Sequence, residues 1–242
     1  MKIKSLFAAI AGASLFAISP VSAAVMTSCG DPDTCSLTDL LAGDSITVDN
    51  VTFGSFNFNV GDDFGTIAVD TSAVSVTGVS GMNTAALEFS IDPALSVADD
   101  VDFIGYVFEF LADVDLMSGQ DILGATLSFA GTGLDITGDA SSLVTFVLDS
   151  GDFLDIFDDS LAGEQNSESA MLSSLTSLAV MAQLSALGFE PGALASISSF
   201  RFELQLSAGN VSDVPLPAAL PLFALGMAGF GFASKRRRQM AA

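Results

Sequence analysis

The sequence predicts an all-β domain, built as a two-sheet β-sandwich with one inserted α-helix, and three observations predict it. Short runs rich in Val, Ile, Phe and Thr alternate with clusters of Gly, Asp, Asn and Ser, the composition of strands separated by turns. Around Phe200 the alternation is strict: Phe200, Phe202, Leu204 and Leu206 fall on one side and Arg201, Glu203 and Gln205 on the other, the period of two that a half-buried strand needs. One segment, 167–187, breaks that rule. It spaces Met171, Leu175, Leu178, Ala182 and Ala186 along one helical face, with Glu168 near its start and Gly188 just past its end.

Taken in order, the predicted strands are 45–48, 51–60, 66–70, 73–79, 85–91, 102–112, 122–130, 143–148 and 197–207. Phe53, Phe56 and Phe58 are expected in the core from the second of these, and Phe103, Phe108 and Phe110 from the sixth. The strand number and turn spacing point to a sandwich of jelly-roll-like or immunoglobulin-like type, with the helix of 167–187 lying across one face or end.

Charge divides the chain into three parts. Lys2 and Lys4 stand at the N-terminus, Lys235, Arg236, Arg237 and Arg238 near the C-terminus, and Arg201 alone between them. All 29 acidic residues lie in the middle, so with one basic residue that middle carries −28 against −22 for the whole chain. A polyanion would be repelled, which excludes a nucleic-acid partner. The expected organisation is a signal peptide over 1–23, an acidic extracellular domain over 24–213 and a C-terminal sorting segment over 214–242.

Residues 1–23 have the build of a secretory signal: a positive start at Lys2 and Lys4, an apolar run from Leu6 to Ile18, and small residues at Val21, Ser22 and Ala23. Cleavage is expected after Ala23, with Ala24 as the neighbouring choice, which makes the secretion machinery and signal peptidase partners. Cys29 and Cys35 follow closely, and in an oxidising compartment they would close a small disulfide loop.

At the other end Val214, Pro215, Leu216, Pro217 and Ala218 precede an apolar stretch over 218–233 and then the basic cluster Lys235 to Arg238. Sixteen helical residues cover about 24 Å against a hydrocarbon core of about 30 Å, short for a permanent span unless the basic side chains snorkel. Positive charge stays on the cytoplasmic side, which leaves the acidic domain outside. Motif, apolar helix and basic cluster in this order resemble the PEP-CTERM class of bacterial sorting signals, in its VPLPA variant. The resemblance covers about the last 25 residues. It implies recognition by an exosortase, an integral membrane cysteine transpeptidase that cuts near the motif. It also implies an inner-membrane intermediate, and then delivery to the surface or extracellular matrix of a Gram-negative-type bacterium. Val214, Pro215, Leu216, Pro217 and Ala218 would then be recognition residues and Lys235, Arg236, Arg237 and Arg238 the membrane stop. An ordinary anchor that is never cut is the alternative.

Catalytic chemistry is sparse. The chain has no histidine, which removes Ser-His-Asp and Cys-His catalysis and the commonest zinc sites. The middle has no lysine, no Gly-x-Ser-x-Gly elbow occurs, and tryptophan is absent. No enzyme is expected. Hard cations want oxygen ligands, and the densest acidic run, Asp149, Asp152, Asp155, Asp158 and Asp159, is the candidate calcium site, with smaller groups at Asp62 and Asp63 and at Asp99, Asp100 and Asp102 beside predicted strands. That spacing does not fit an EF-hand, and a solvated acidic surface suited to saline water is the alternative. The expected function is therefore a structural or adhesive surface protein in envelope, biofilm or exopolysaccharide. A calcium- or glycan-binding module is the second reading.

Overall fold

In the computed structural model, residues 25–58, 65–98, 102–130 and 133–209 are described. Among them are fifteen β-strands: β1 (Val25–Thr27), β2 (Thr34–Ser36), β3 (Ile46–Val48), β4 (Val51–Asn57), β5 (Val74–Gly81), β6 (Thr84–Val97), β7 (Phe103–Val114), β8 (Ile122–Phe129), β9 (Leu134–Thr137), β10 (Ala140–Leu148), β11 (Phe153–Asp159), β12 (Gly163–Gln165), β13 (Ser167–Leu175), β14 (Ser177–Gly188) and β15 (Leu194–Leu206). The first sheet runs β1-β3-β4-β7-β14-β10-β11-β12 and the second β13-β8-β15-β6-β5-β2, with β9 pairing β15. Every strand pair is antiparallel.

The two sheets face each other across an aromatic core. Phe108, Phe110 and Phe146 project from the first sheet, Phe89, Phe200 and Phe202 from the second, and all six are buried. The alternation read at Phe200, Phe202, Leu204 and Leu206 holds, since all four are buried while Arg201, Glu203 and Gln205 are not. Arg201 pairs with Glu203 at 2.5 Å on the outer face.

Both seams of the sandwich are closed by continuous chain. On one side the loop after β1, at the edge of the first sheet, leads into β2 at the edge of the second, and Cys29–Cys35 forms a disulfide at its base. On the other side β12 passes through the single residue Asn166 into β13, whose partner is β8.

Three expectations are corrected. The segment 167–187 is not a helix but most of β13 and β14, with a sheet switch at Thr176. In β14 the buried residues are Leu178, Val180, Ala182, Leu184, Ala186 and Gly188, a period of two. The spacing of Leu178, Ala182 and Ala186 serves both readings, because four residues return to one face of a helix and also to one face of a strand. Val180 and Leu184 decide it. A helix would turn each about 200° away from the residue two before it, whereas both face the core here. β14 lies between β7 and β10, so long-range pairing on both edges overrides a weak local helical pattern.

The predicted strand 66–70 is also absent. Thr66 and Ile67 both donate to the Phe103 carbonyl, and the Thr66 hydroxyl accepts from Phe103 N–H at 2.8 Å. Asp70 then caps a 3-10 turn, Thr71–Ala73, by accepting from Ser72 N–H. Side-chain hydrogen bonds have taken the place of a ladder. Phe103, third, lies only partly buried on the outer face, because its parity is opposite to that of Phe108 and Phe110. Phe53 and Phe56 are both buried although three residues apart, since a bulge at Gly54 to Asn57, with Ser55 at φ 54°, resets the alternation.

A short helix, α1 (Leu37–Leu41), is an addition to the expected elements. Ser36 caps it by accepting from Asp39 N–H at 3.1 Å while its hydroxyl donates to the Asp39 carboxylate at 2.6 Å.

Candidate functional site

The outer face of the first sheet carries a row of side chains that crosses five strands. Asn57 on β4 stands opposite Glu109 on β7, Glu109 opposite Met181 on β14, Met181 opposite Val147 on β10, and Val147 opposite Phe153 on β11. At the usual spacing of neighbouring strands the row is about 19 Å long. It is polar at the β4 end and aromatic at the other, where Phe153 is 61% exposed.

A groove of about 460 Å³ lies along this row, walled by Ser55, Glu109, Val147, Asp149 and Met181 among others. Its position follows from local structure. The bulge in β4 turns Ser55 outward, and the hydrogen bond from Asp149 N–H to the Ala179 carbonyl, 3.0 Å, brings the end of β10 against β14. The floor is apolar, and the polar groups along it are two carboxylates and a hydroxyl. Such a groove offers hydrogen-bond acceptors over an apolar surface, and Phe153 stands beyond its wall as the β11 neighbour of Val147.

Sequence reasoning singled out none of Ser55, Glu109, Met181 or Phe153. A signal for Glu109 was present, as a lone carboxylate between Phe108 and Phe110 in an apolar strand. The row itself depends on pairing β7 with β14 and so is invisible along the chain.

The five carboxylates of the candidate calcium site are not gathered in one place. Asp149 and Asp152 lie in the turn between β10 and β11, where Asp152 accepts from the Ser150 hydroxyl at 2.9 Å. Along β11, Asp155 and Asp159 share one face with Phe153, and Asp158 shares the other with Leu154 and Ile156. Among the described residues no three of His, Cys, Asp or Glu are placed to hold a metal ion. One oxygen of Asp155 is buried without a hydrogen-bond partner, while its backbone is engaged: its N–H donates to Glu168 at 2.6 Å and its carbonyl accepts from Gln165 at 2.7 Å. These two side chains cap the edge of β11 where β12 ends.

Asp158 and Asp159 are neighbours with opposite electrostatics. Burial pushes the Asp158 carboxyl above the ordinary carboxylate range, and Glu164, Asp135 and Asp159 add to it by like-charge repulsion. Asp159 is held below that range by the backbone N–H groups of Ala162 and Leu161 and by the Ser141 hydroxyl.

Residues 59–64, 99–101 and the two ends lie outside the described residues. With them go Asp62 and Asp63, Asp99 and Asp100, the cleavage residues Ala23 and Ala24, the motif Val214 to Ala218 and the cluster Lys235 to Arg238. Among the described residues no helix is long and apolar enough to cross a membrane.

No family model matches the chain. No curated protein matches it. Solved structures with some likeness include TmCBM61 in complex with β-1,4-galactotriose, 11% identical, covering 61% of this chain and 87% of that one at a TM-score of 0.24. Endoglucanase 3 of Trichoderma harzianum, from family GH12, is 6% identical over 77% of this chain and 99% of that one, with a TM-score of 0.23. The enzymatically active domain of tailspike protein 4 from bacteriophage CBA120 is 11% identical over 63% of this chain and 19% of that one, at 0.19. At these TM-scores the likenesses carry no argument about this chain.

Proposed function

We propose that this chain is an exported, non-catalytic surface protein whose β-sandwich is delivered by its C-terminal sorting signal to act as a structural or adhesive component of envelope, biofilm or exopolysaccharide matrix. The observation that carries the reading is the order of segments at the C-terminal end. β15 ends at Leu206, and the VPLPA motif, apolar stretch and basic cluster follow in the sequence from Val214. The motif resembles the recognition element of exosortase substrates, so an exosortase-type transpeptidase is the proposed partner and the inner membrane the proposed intermediate location. The Cys29–Cys35 disulfide supports export, since such bonds persist in oxidising compartments. Low basic content supports a matrix role among hydrated polymers and ions over any nucleic-acid role.

The test is a deletion of residues 214–242, read by fractionation and by intact mass of the protein recovered from cells. Release of the truncated chain into periplasm or medium, with the full-length protein shortened at both ends, is the expected result. Unchanged retention at the envelope, or a C-terminus intact through Ala242, defeats the sorting claim.

The row from Asn57 to Phe153 favours a second reading, a glycan-binding face on the first sheet. Pyranose rings present apolar faces and hydroxyl donors, which suit an exposed phenyl ring and the carboxylates Glu109 and Asp149. Calorimetric titration with a panel of neutral oligosaccharides tests it. Binding that Phe153→Ala weakens supports the face, and silence across the panel returns the domain to the structural reading.

A further inference from the structure

Exposed apolar side chains gather at the end of the sandwich where β15 finishes. Met82 is 94% exposed, Leu116 79% and Met117 96%. β15 runs between β6 and β8, so the 82–83 turn entering β6 and the 115–121 loop entering β8 flank its end on either side. Both are tied to it. Leu206 N–H donates to the Asn83 carbonyl at 2.8 Å, and Ser207 N–H to the Asp121 carbonyl at 2.8 Å. The Ser207 hydroxyl in turn accepts from Asp121 N–H at 2.8 Å, and Gly209 lies against Gln120 and Ser118. The chain therefore leaves the sandwich between three apolar side chains that the core does not use. A methionine at a hairpin tip is also unlike the Gly, Asn and Asp that turns favour.

Eight residues lie between Gly209 and Ala218, where the apolar stretch begins, and the nine Cα-to-Cα steps they span reach at most about 32 Å when extended. We propose that this end of the sandwich docks on the lipid bilayer surface, with Met82, Leu116 and Met117 entering the boundary between headgroups and acyl chains while the tail is inserted. The inference rests on reading 218–233 as a membrane-inserted segment. The tether holds the domain close to the surface, so weak insertion by three side chains acts at high effective concentration. Asp49, Asp115, Asp121, Asp149 and Asp152 lie at the same end and would be repelled by anionic lipid. Several of them are turned to local work: Asp115 accepts from Met117 N–H at 2.9 Å, Asp121 from the Ser174 hydroxyl and Asp152 from the Ser150 hydroxyl at 2.9 Å. A zwitterionic surface is the matching partner.

The chain has no tryptophan, so single probes read without background. The signal-processed chain retaining residues 214–242 is reconstituted into phosphatidylcholine vesicles carrying brominated acyl chains, as Met117→Trp, Met82→Trp or, at the opposite end, Leu161→Trp. All three positions are exposed, which keeps the fold out of the comparison. Expected are flotation of all three with the vesicles and about twofold or greater quenching at 117 and 82 over 161, as insertion by ~5–10 Å requires. Quenching at 117 should fall as phosphatidylglycerol replaces phosphatidylcholine. Flotation with equal quenching at all three positions overturns the docking and leaves the tail reading standing. Failure to float overturns both.

Discussion

Phe146 on β10 and Phe202 on β15 meet across the two sheets with ring centroids 5.0 Å apart and planes tilted by 37°. Phe202 also stands edge-on to Phe110 at 5.8 Å, so one ring of the second sheet touches two strands of the first. Phe202→Ala should destabilise the domain by about 3–5 kcal/mol, through lost transfer energy and the cavity left behind. Urea denaturation reads this as a lower midpoint at unchanged slope, and a loss within the range of surface substitutions would contradict the assigned core.

Leu184 and Met171 exchange places between the two readings of 167–187. In the sheet, Leu184 is buried and Met171 exposed, whereas the helical face held Met171 and not Leu184. Leu184→Ala should cost about 2–5 kcal/mol, and Met171→Ala less than about 0.5 kcal/mol. The reverse ranking in thermal or chemical melts would restore the helix.

Cys29–Cys35 closes the seam between β1 and β2, and Cys35 is buried. The double variant Cys29→Ala, Cys35→Ala should lose about 2 kcal/mol, the loop-closure entropy of so short a ring. Hydrogen exchange should quicken in β1 and β2 while β10 and β14 keep their protection. Uniform acceleration across both sheets would show that the loop holds more than its own seam.

Asp158 gives stability an acid-side component with a definite sign. Its folded carboxyl titrates above the ordinary value near 3.8, so the native state holds the proton more tightly than the unfolded chain. That contribution is fully present below 3.8 and is lost as pH rises through the raised folded value. Asp158→Asn should therefore gain stability over wild type at neutral pH and show a flatter profile across that window. Asp159→Ala should instead lose stability at neutral pH, with the loss fading as the medium is acidified. Its lowered carboxyl stabilises above the ordinary value by capping Leu161 and Ala162, and losing it costs about 1 kcal/mol at neutral pH after solvent screening. Equilibrium melts across the acid range decide both.

The all-β class, the aromatic register of β15 and the cysteine pair were legible in the sequence, because each rests on local information: period-two hydrophobicity, or two cysteines six positions apart. The proposed addresses at the two ends also rest on the sequence alone, since a charge pattern and a short motif need no fold to be read. Tertiary structure alone decided β13 and β14, whose four-residue spacing is common to helix and strand until β7, β8 and β10 supply partners. It decided Phe56 as well, brought inward by a bulge in β4 that no residue pattern announces. The outer row from Asn57 to Phe153 joins residues up to 124 positions apart, Asn57 and Met181, through hydrogen-bonded neighbours. Strand pairing is long-range, so the face that carries the groove exists only once five separate strands have found their register.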